Sequence, residues 1–450
     1  MTGTTTPLGK PTVVIACPPA AGHTTPLLVQ ATHLTARGYS VHFIAGAESE
    51  SAILKTGATF YPVETVWTPE KFKYMFSLPE GHERRIYGIK GFFVDATPGA
   101  MRILRTVLED IRSTDPDRDV VILQEYTSMG VWPFLFGAPL PRGYTRFPKV
   151  ITFSTTPMTV SSIDLAPFGP GLSPDSSVEG RKRNRALYEE DRPVWDELTD
   201  YVNEVFGNLG TTVKVIEPFF DFLATGADLM LQPCSPSLEY PRSDMPKNVR
   251  FIGAHPRKEI GADGIVLPEW WGGLLAARDQ GKKVVFVSQG TFQLDYNMLL
   301  RPTIQALSDR DDCFVIGVLG VKGATLDGVS IPANTQIVDF LPYDAVLPYV
   351  DVFVSNAGYG GFLHGVMNGV PMVLAGSGQD KSEVCTRGEW AGIAVNLKTD
   401  TPSVDAIRDA VDTVLTDTKF KKRCVEIQRE NEALDSRAQV ERAILEFARA

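Results

Sequence analysis

Pro11-Thr-Val-Val-Ile-Ala-Cys17, then Pro18-Pro19-Ala-Ala-Gly22-His23, then a run from Pro26 to Arg37 that stops at Gly38, then Ser40-Val-His-Phe-Ile-Ala45, follow one another without a gap. The first and last pieces are short, apolar and β-branched, and the run between them carries apolar residues at helical spacing. The order therefore reads strand, loop, helix, strand. Parallel strands joined in this way need a crossover helix, and the loops beyond their C-terminal ends are where a doubly wound sheet holds a ligand.

The same rhythm returns at Asp119-Val-Val-Ile-Leu123 and Lys149-Val-Ile-Thr-Phe153, which makes the first lobe α/β. A second set begins at Lys282-Lys-Val-Val-Phe-Val-Ser288 and runs through Cys313–Val318, Thr335–Asp339, Val350–Val354 and Val370–Ala375. Between the sets, Gln232 to Pro246 is rich in proline and serine and has no period, as expected of a linker, so the hinge is placed near residues 235–260. Two further stretches lack a clear period, Val66 to Gly99 and Thr155 to Lys182. Loops this long in a compact domain are binding loops or lids, or else irregular surface packing.

The chain has 450 residues, too many for one ordinary core and suited to two domains. With 43% hydrophobic and 22% charged residues it has a globular composition. Its 44 Lys and Arg against 54 Asp and Glu give a net charge of −10, which leaves no electrostatic footprint for a nucleic acid. The five cysteines, Cys17, Cys234, Cys313, Cys385 and Cys424, are scattered and in no metal-binding spacing. A reducing, cytoplasmic location fits them. No apolar run reaches the length of a membrane span, and Thr12 to Pro19 reads as the first strand rather than a leader.

Three sites carry candidate chemistry. His23 follows the first strand, where a base titrating near neutrality is well placed; a histidine that only caps the next helix is the alternative. Ser355-Asn356-Ala357-Gly358-Tyr359-Gly360-Gly361 is a glycine-rich turn from strand to helix, able to bring backbone N–H groups close to a phosphate, or simply a tight turn. Ser288-Gln289-Gly290-Thr291 is a second small-residue strand end with hydroxyls. No GxGxxG or GKS/GKT phosphate loop is present. Asp115-Pro-Asp117, Asp117-Arg-Asp119 and Asp309-Arg-Asp311 lie in polar connections and read as turns, not as a manganese site.

Taken together, Pro19-Ala-Ala-Gly22-His23-Thr-Thr-Pro26, Asn248 to Gly253, Val287-Ser-Gln-Gly290-Thr291, Phe340-Leu341-Pro342, Ser355 to Gly361, Asn368-Gly369-Val-Pro371 and Asp380-Lys381 resemble the UDP-dependent glycosyltransferases of secondary metabolism, of microbial and fungal type. The motifs keep the family's order from about residue 11 to the end of the chain. The resemblance implies an α/β, GT-B architecture with two Rossmann-like domains facing a cleft. Residues 1–240 would form the acceptor-binding domain and 241–432 the nucleotide-sugar domain, with 433–450 a helix packing back on the first.

It further implies an inverting, metal-independent transfer of a sugar, glucose from UDP-glucose, to a hydroxyl of a small hydrophobic natural product such as a phenolic or sterol. No cofactor is implied beyond this co-substrate. His23 matches the family's base, with Glu125 where an aspartate partner is usual. Phe340 matches the residue that stacks on uracil, with Leu341 beside it. Gly358, Tyr359, Gly360 and Gly361 match the diphosphate turn, with Ser288, Gly290, Thr291 and Asn356 near it. His364 falls at a ribose position, and Asp380-Lys381 at the acid-glutamine pair that reads sugar hydroxyls. Trp67, Phe72, Phe76, Phe92, Phe93 and Met158 suit an apolar acceptor, and suit a packed core equally well. UDP or dTDP, the acceptor and the oligomeric state stay open. A catalytically inactive nucleotide-sugar-binding protein that activates a partner enzyme is the rival reading.

Overall fold

The computed structural model describes residues 9–79, 81–258, 268–291, 293–328 and 330–448. Residues 1–8 of the expected first domain, 259–260 of the expected hinge and 449–450 of the expected last helix lie outside the described residues. β1 (Thr12–Ala16), β2 (Val41–Ala45), β3 (Thr59–Pro62), β4 (Val120–Glu125), β5 (Lys149–Phe153), β6 (Leu229–Gln232) and β7 (Val249–Phe251) form one parallel sheet, in the order β3-β2-β1-β4-β5-β6-β7. β8 (Lys283–Ser288), β9 (Cys313–Val318), β10 (Thr335–Val338), β11 (Val352–Ser355), β12 (Met372–Leu374) and β13 (Ala394–Asn396) form a second, also parallel, in the order β10-β9-β8-β11-β12-β13.

Unbroken apolar strands are what a sheet covered on both faces requires. In β1, Val14 and Ala16 join the core on one face, while Val13 and Ile15 join the core on the other. β8 divides in the same way, Val284 and Phe286 on one side, Val285 and Val287 on the opposite one.

The helices used below are α1 (Ala21–Ala36), α2 (Pro69–Ser77), α3 (His82–Ile89), α4 (Thr97–Thr114), α5 (Val178–Asn208), α6 (Tyr359–Met367), α7 (Lys381–Trp390) and α8 (Ser436–Ala448). α1 starts ahead of the expected Pro26. The hydrogen bond that proline cannot make would go to Gly22, which is exposed, so the helix tolerates it and His23 sits inside the first turn.

The stretch 66–99, expected as a long loop, is mostly helical: α2, α3, a π-turn over Lys90–Val94 and the start of α4. Its period is broken by short helices and by close packing of Gly91, where a Cβ would stand 2.7 Å from the Trp67 ring. Residues 155–177 are irregular as expected, and α5 begins at Val178.

The boundary expected at 240/241 differs from the observed pairing. β7 hydrogen-bonds to β6, so the first sheet ends only at Phe251. The connection is also pinned. The buried Asn431 accepts from the N–H groups of Ser235 (2.8 Å) and Ala254 (3.0 Å), and Gly253, at φ +79, lies so close to Asn431 O that a Cβ would be 2.6 Å from it. The helix that carries Asn431, Thr418–Leu434, turns at Asp435, φ 51, into α8. That helix lays Val440, Ala443 and Ile444 into the core behind β1. Glu441 then takes hydrogen bonds from Tyr39 Oη (3.0 Å) and Arg37 Nε (3.2 Å) and meets His33 Nε2 at 3.2 Å.

Ile444→Ala should therefore destabilise the first lobe by about 2–5 kcal/mol, a cavity effect, read as a lower midpoint in urea unfolding followed by intrinsic fluorescence.

Candidate active site

In a doubly wound sheet, neighbouring strands whose connections leave in opposite directions open a crevice at their C-terminal ends. Here the reversals fall between β1 and β4 and between β8 and β11. The first crevice holds the β1–α1 loop, the first turn of α1 with His23, and the end of β4 with Glu125. The second holds Ser288–Thr291 and Ser355–Gly361.

His23 Nδ1 lies 2.8 Å from Glu125 Oε1. The Glu125 side chain is fully buried and that of His23 is 29% exposed. Register explains the meeting: Ala16 pairs with Gln124, so Glu125 extends one residue past the end of β1, beneath the first turn of α1. The longer side chain, where an aspartate is usual in the family it resembles, is held at both oxygens. Oε1 also accepts from Thr155 Oγ1 (2.5 Å), and Oε2 accepts from Thr127 N (2.8 Å) and Thr127 Oγ1 (2.7 Å). Both threonine hydroxyls stand 3.3 Å from His23 Nδ1.

Burial by itself would push the Glu125 carboxyl up, but the charge and hydrogen bond of His23 and the two threonines outweigh it and hold the group below its ordinary range. For His23, burial works toward a lower value, and Glu125, with a further contribution from Asp380, carries it above the ordinary 6.5. A carboxylate on Nδ1 fixes the tautomer with that nitrogen protonated and leaves the lone pair on Nε2.

Asp380 acts on His23 electrostatically from the other lobe. It stands at the head of α7, after a turn in which Gly378 (φ 70) and Gln379 (φ 50) are both left-handed. Its carboxyl is raised by burial, against the opposing pull of backbone N–H groups that include Tyr359, and of Lys381 and His23. Burial lowers the Lys381 ammonium.

The second crevice is built on Gly358, the residue before α6, with Ala357 at φ 62 ahead of it. An alanine in that region costs on the order of 1–3 kcal/mol, as strained turns at binding sites do. Asn356 Nδ2 donates to Gln289 O at 2.6 Å and so ties the two loops together. Gln289, buried and given no role of its own in the sequence reading, accepts from Leu300 N (2.8 Å) and donates to Asp295 O (2.9 Å), shaping the loop that follows Gly290. Phe340 is 44% exposed beyond the end of β10, with Lys322 Nζ 5.4 Å from its ring, so it is not a core residue.

Several expected donor residues face elsewhere. Leu341 is buried in the second lobe's core, where an apolar side chain gains most. The Ser288 hydroxyl is engaged by Tyr343 Oη at 2.7 Å, while Thr291 is exposed. The Tyr359 phenol is buried between the lobes and accepts from Gln232 Nε2 at 3.1 Å, leaving only its backbone at the helix start. His364 Nδ1 is 2.9 Å from Asp344 Oδ1 on the side of α6.

Of the apolar group, Trp67 stacks on Phe92 at 3.8 Å and tilts against Phe72 at 4.8 Å, and Phe93 stacks on Phe219 at 6.3 Å. Met158 is buried in the first lobe's core, and Phe76 is half-exposed on α2. Asp115 and Asp309 form ion pairs with Arg118 (2.8 Å) and Arg408 (3.0 Å), as turn residues do. Among the described residues no helix is long and apolar enough to cross a membrane.

Residues 302–447 match the family model described as Erythromycin biosynthesis protein CIII-like, C-terminal domain. The chain is 42% identical over 445 residues to UDP-glucosyltransferase 1 of Beauveria bassiana, covering 97% of this chain and 95% of that protein. It is 35% identical over 455 residues to UDP-glycosyltransferase 2 of Phaeomoniella chlamydospora, covering 98% and 96%. The chain belongs to the UDP-glycosyltransferase family. A solved structure, the glycotransferase of kitacinnamycin, aligns over 97% of this chain and 99% of its own with a TM-score of 0.71 and 19% identity, which shows a common fold. The two sheets of this UDP-glycosyltransferase are the Rossmann-like domains of the GT-B architecture.

Residues that sequence reasoning missed surround those it found. Thr127 could have been found as the hydroxyl two residues after Glu125. Thr155, on a loop, offered no such signal.

Removing the charge beneath the ring in Glu125→Gln should lower the His23 titration midpoint relative to wild type, measured by NMR on the ring Cε1–H. An unchanged midpoint would show that Glu125 does not set the proton affinity of His23.

Proposed function

We propose that this UDP-glycosyltransferase moves glucose from UDP-glucose, with inversion and without a metal ion, to a hydroxyl of a small hydrophobic natural product, and that His23 is the base. The observation that carries this reading is the His23–Glu125 pair in the first crevice, within electrostatic reach of Asp380 in the second. The names of the relatives, a UDP-glucosyltransferase among them, support the donor.

In this reading the acceptor hydroxyl lies against His23 Nε2. As its oxygen bonds to the anomeric carbon, the proton passes to Nε2 and the bond from that carbon to the diphosphate oxygen breaks on the opposite face. The electron pair leaves with UDP. Glu125 stabilises the imidazolium, and its threonine bonds keep the ring from turning away. The N–H groups from Gly358 to Gly361 meet the diphosphate at the positive end of α6, already oriented before charge develops. Phe340 stacks on uracil, Asp380 accepts from sugar hydroxyls, and the Trp67, Phe72 and Phe92 stack borders the acceptor.

Mass spectrometry of reactions with UDP-glucose, EDTA and a panel of phenols, flavonoids and sterols should find one hexose added to at least one acceptor. His23→Ala should lower that rate about 10²–10⁴-fold while UDP affinity by calorimetry stays as in wild type. Near-normal transfer by this variant would remove the base assignment. Phe340→Ala should weaken UDP binding about 3–10-fold. Because the His23 pKa is raised, the base form is lost as pH falls through a value above 6.5, so the acid limb of kcat/KM should lie above the ordinary histidine value.

A further inference from the structure

The lobes also meet through a buried polar seat between loop 155–177 and α7. Loop 155–177 of the first domain lies on α7 of the second. Glu383, in the first turn of α7, accepts at Oε1 from the backbone N–H groups of Gly169 (2.8 Å) and Gly171 (2.9 Å). Its Oε2 takes Arg387 Nη1 at 2.7 Å. Arg387 also donates through Nε to Glu239 Oε2 (2.9 Å) and through Nη2 to Met158 O (3.3 Å), with its guanidinium 4.4 Å from the Tyr240 ring centroid. Glu239 closes the circuit by accepting from Met158 N at 2.8 Å.

These charges are almost sealed from water: Arg387 is 2% exposed, Glu239 3% and Glu383 4%. The backbone fits as closely as the charges. Thr386 Oγ1 donates to Gly171 O at 2.7 Å, and Gly171, at φ +66, has Ser382 O where a Cβ would stand 2.5 Å away.

Burying a charged group is costly unless its partners are fixed, and apolar side chains would join two surfaces with less demand on geometry. A seat made this way therefore specifies one relative position. The two elements it joins are the ones that carry the reacting groups. The loop begins with Thr155, which bonds Glu125 and touches His23. α7 begins directly after Asp380.

We propose that Glu383 and Arg387 are positioning residues that latch loop 155–177 to α7 and so set the distance between the acceptor oxygen at His23 and the donor sugar at Asp380, without touching either substrate. The proposal rests on the transferase reading given above. Its signature is a loss of alignment, not of binding: the uridine end of the donor lies at Phe340, away from α7, and water competes better with a misplaced acceptor.

The test uses the full chain, UDP-glucose and whichever acceptor of the panel the wild type turns over fastest. In Arg387→Lys, which keeps the charge and loses the fork, and in Gly171→Ala, which disturbs the same seat from the other lobe, kcat for hexose transfer should fall about 10–100-fold. UDP affinity should be unchanged, and the share of UDP released by plain hydrolysis of UDP-glucose should rise. Thr386→Ser should behave as wild type. Wild-type kcat and hydrolysis share in both variants would overturn the latch. So would a parallel fall of kcat, UDP affinity and melting temperature, the mark of a merely structural role. If both variants fail to fold, Thr386→Val, which removes one hydrogen bond, decides on the same split. A wild-type chain that transfers to no acceptor would sink the transferase reading and the latch with it, whereas normal wild-type transfer with unaltered variants sinks the latch alone.

Discussion

A fully buried carboxylate is tolerable only when every lone pair has a partner, and Glu125 sets that condition for the first crevice. Its four contacts come from three places: the first turn of α1, the backbone and hydroxyl of Thr127 two residues further along the chain, and the start of loop 155–177. None of these can shift without leaving charge unpaired in a dry site. The strand register, the early start of α1 and the path of the loop therefore answer to one electrostatic demand. The same arrangement polarises His23: a fixed negative charge on Nδ1 raises the affinity of the ring for a proton and directs that proton to Nε2.

The second crevice is organised by backbone geometry in place of a buried charge. Two left-handed non-glycine residues mark it, Ala357 before α6 and Gln379 before α7. Each aims a helix start into the cleft, and Asp380 and the Tyr359 N–H come within reach of one another there. A helix start with free N–H groups attracts an anion, and a carboxylate beside it would compete for those groups. Burial raises the Asp380 carboxyl, and backbone N–H groups together with the cations Lys381 and His23 pull against it. The two crevices are thus electrostatically linked before any substrate enters.

How much of this could be read from the sequence depends on the range of each signal. The sheets were legible because strands covered on both faces are unbroken apolar runs, and Val13 to Ile15 or Val284 to Val287 leave little choice. β3, β6, β7 and β13 were not, being only three or four residues long, with Thr59 and Pro62 of β3 exposed at the sheet edge. His23, Glu125 and the glycine turn were legible because each lies at a strand end, where local order and a resemblance to known motifs agree. The helices between 69 and 114 were obscured by aromatic residues that pack on each other instead of following a helical period. Glu383 and Arg387 look in sequence like an ordinary exposed pair four residues apart on a helix. They are buried by loop 155–177 and by the Glu239–Tyr240 segment, both distant in sequence.

The contact between the lobes draws on polar groups at three places. Gln232, at the end of β6, donates to both Thr156 O (2.9 Å) and Tyr359 Oη (3.1 Å), joining the loop after β5 to the first residue of α6. Asn431 holds the connection at Ser235 and Ala254. Glu383 and Arg387 hold the loop to α7. An apolar contact permits sliding at little cost, because dispersion varies slowly along a smooth surface, whereas a buried hydrogen bond is lost within about an ångström. Catalysis across a cleft needs the second behaviour. In the proposed reaction a base on one lobe and a sugar on the other must meet within a near-attack distance of about 3–3.5 Å, which contacts that fail sharply with displacement are suited to hold. Tyr359 illustrates how one residue spans both lobes, its backbone at the start of α6 and its phenol tied to Gln232 of the first lobe.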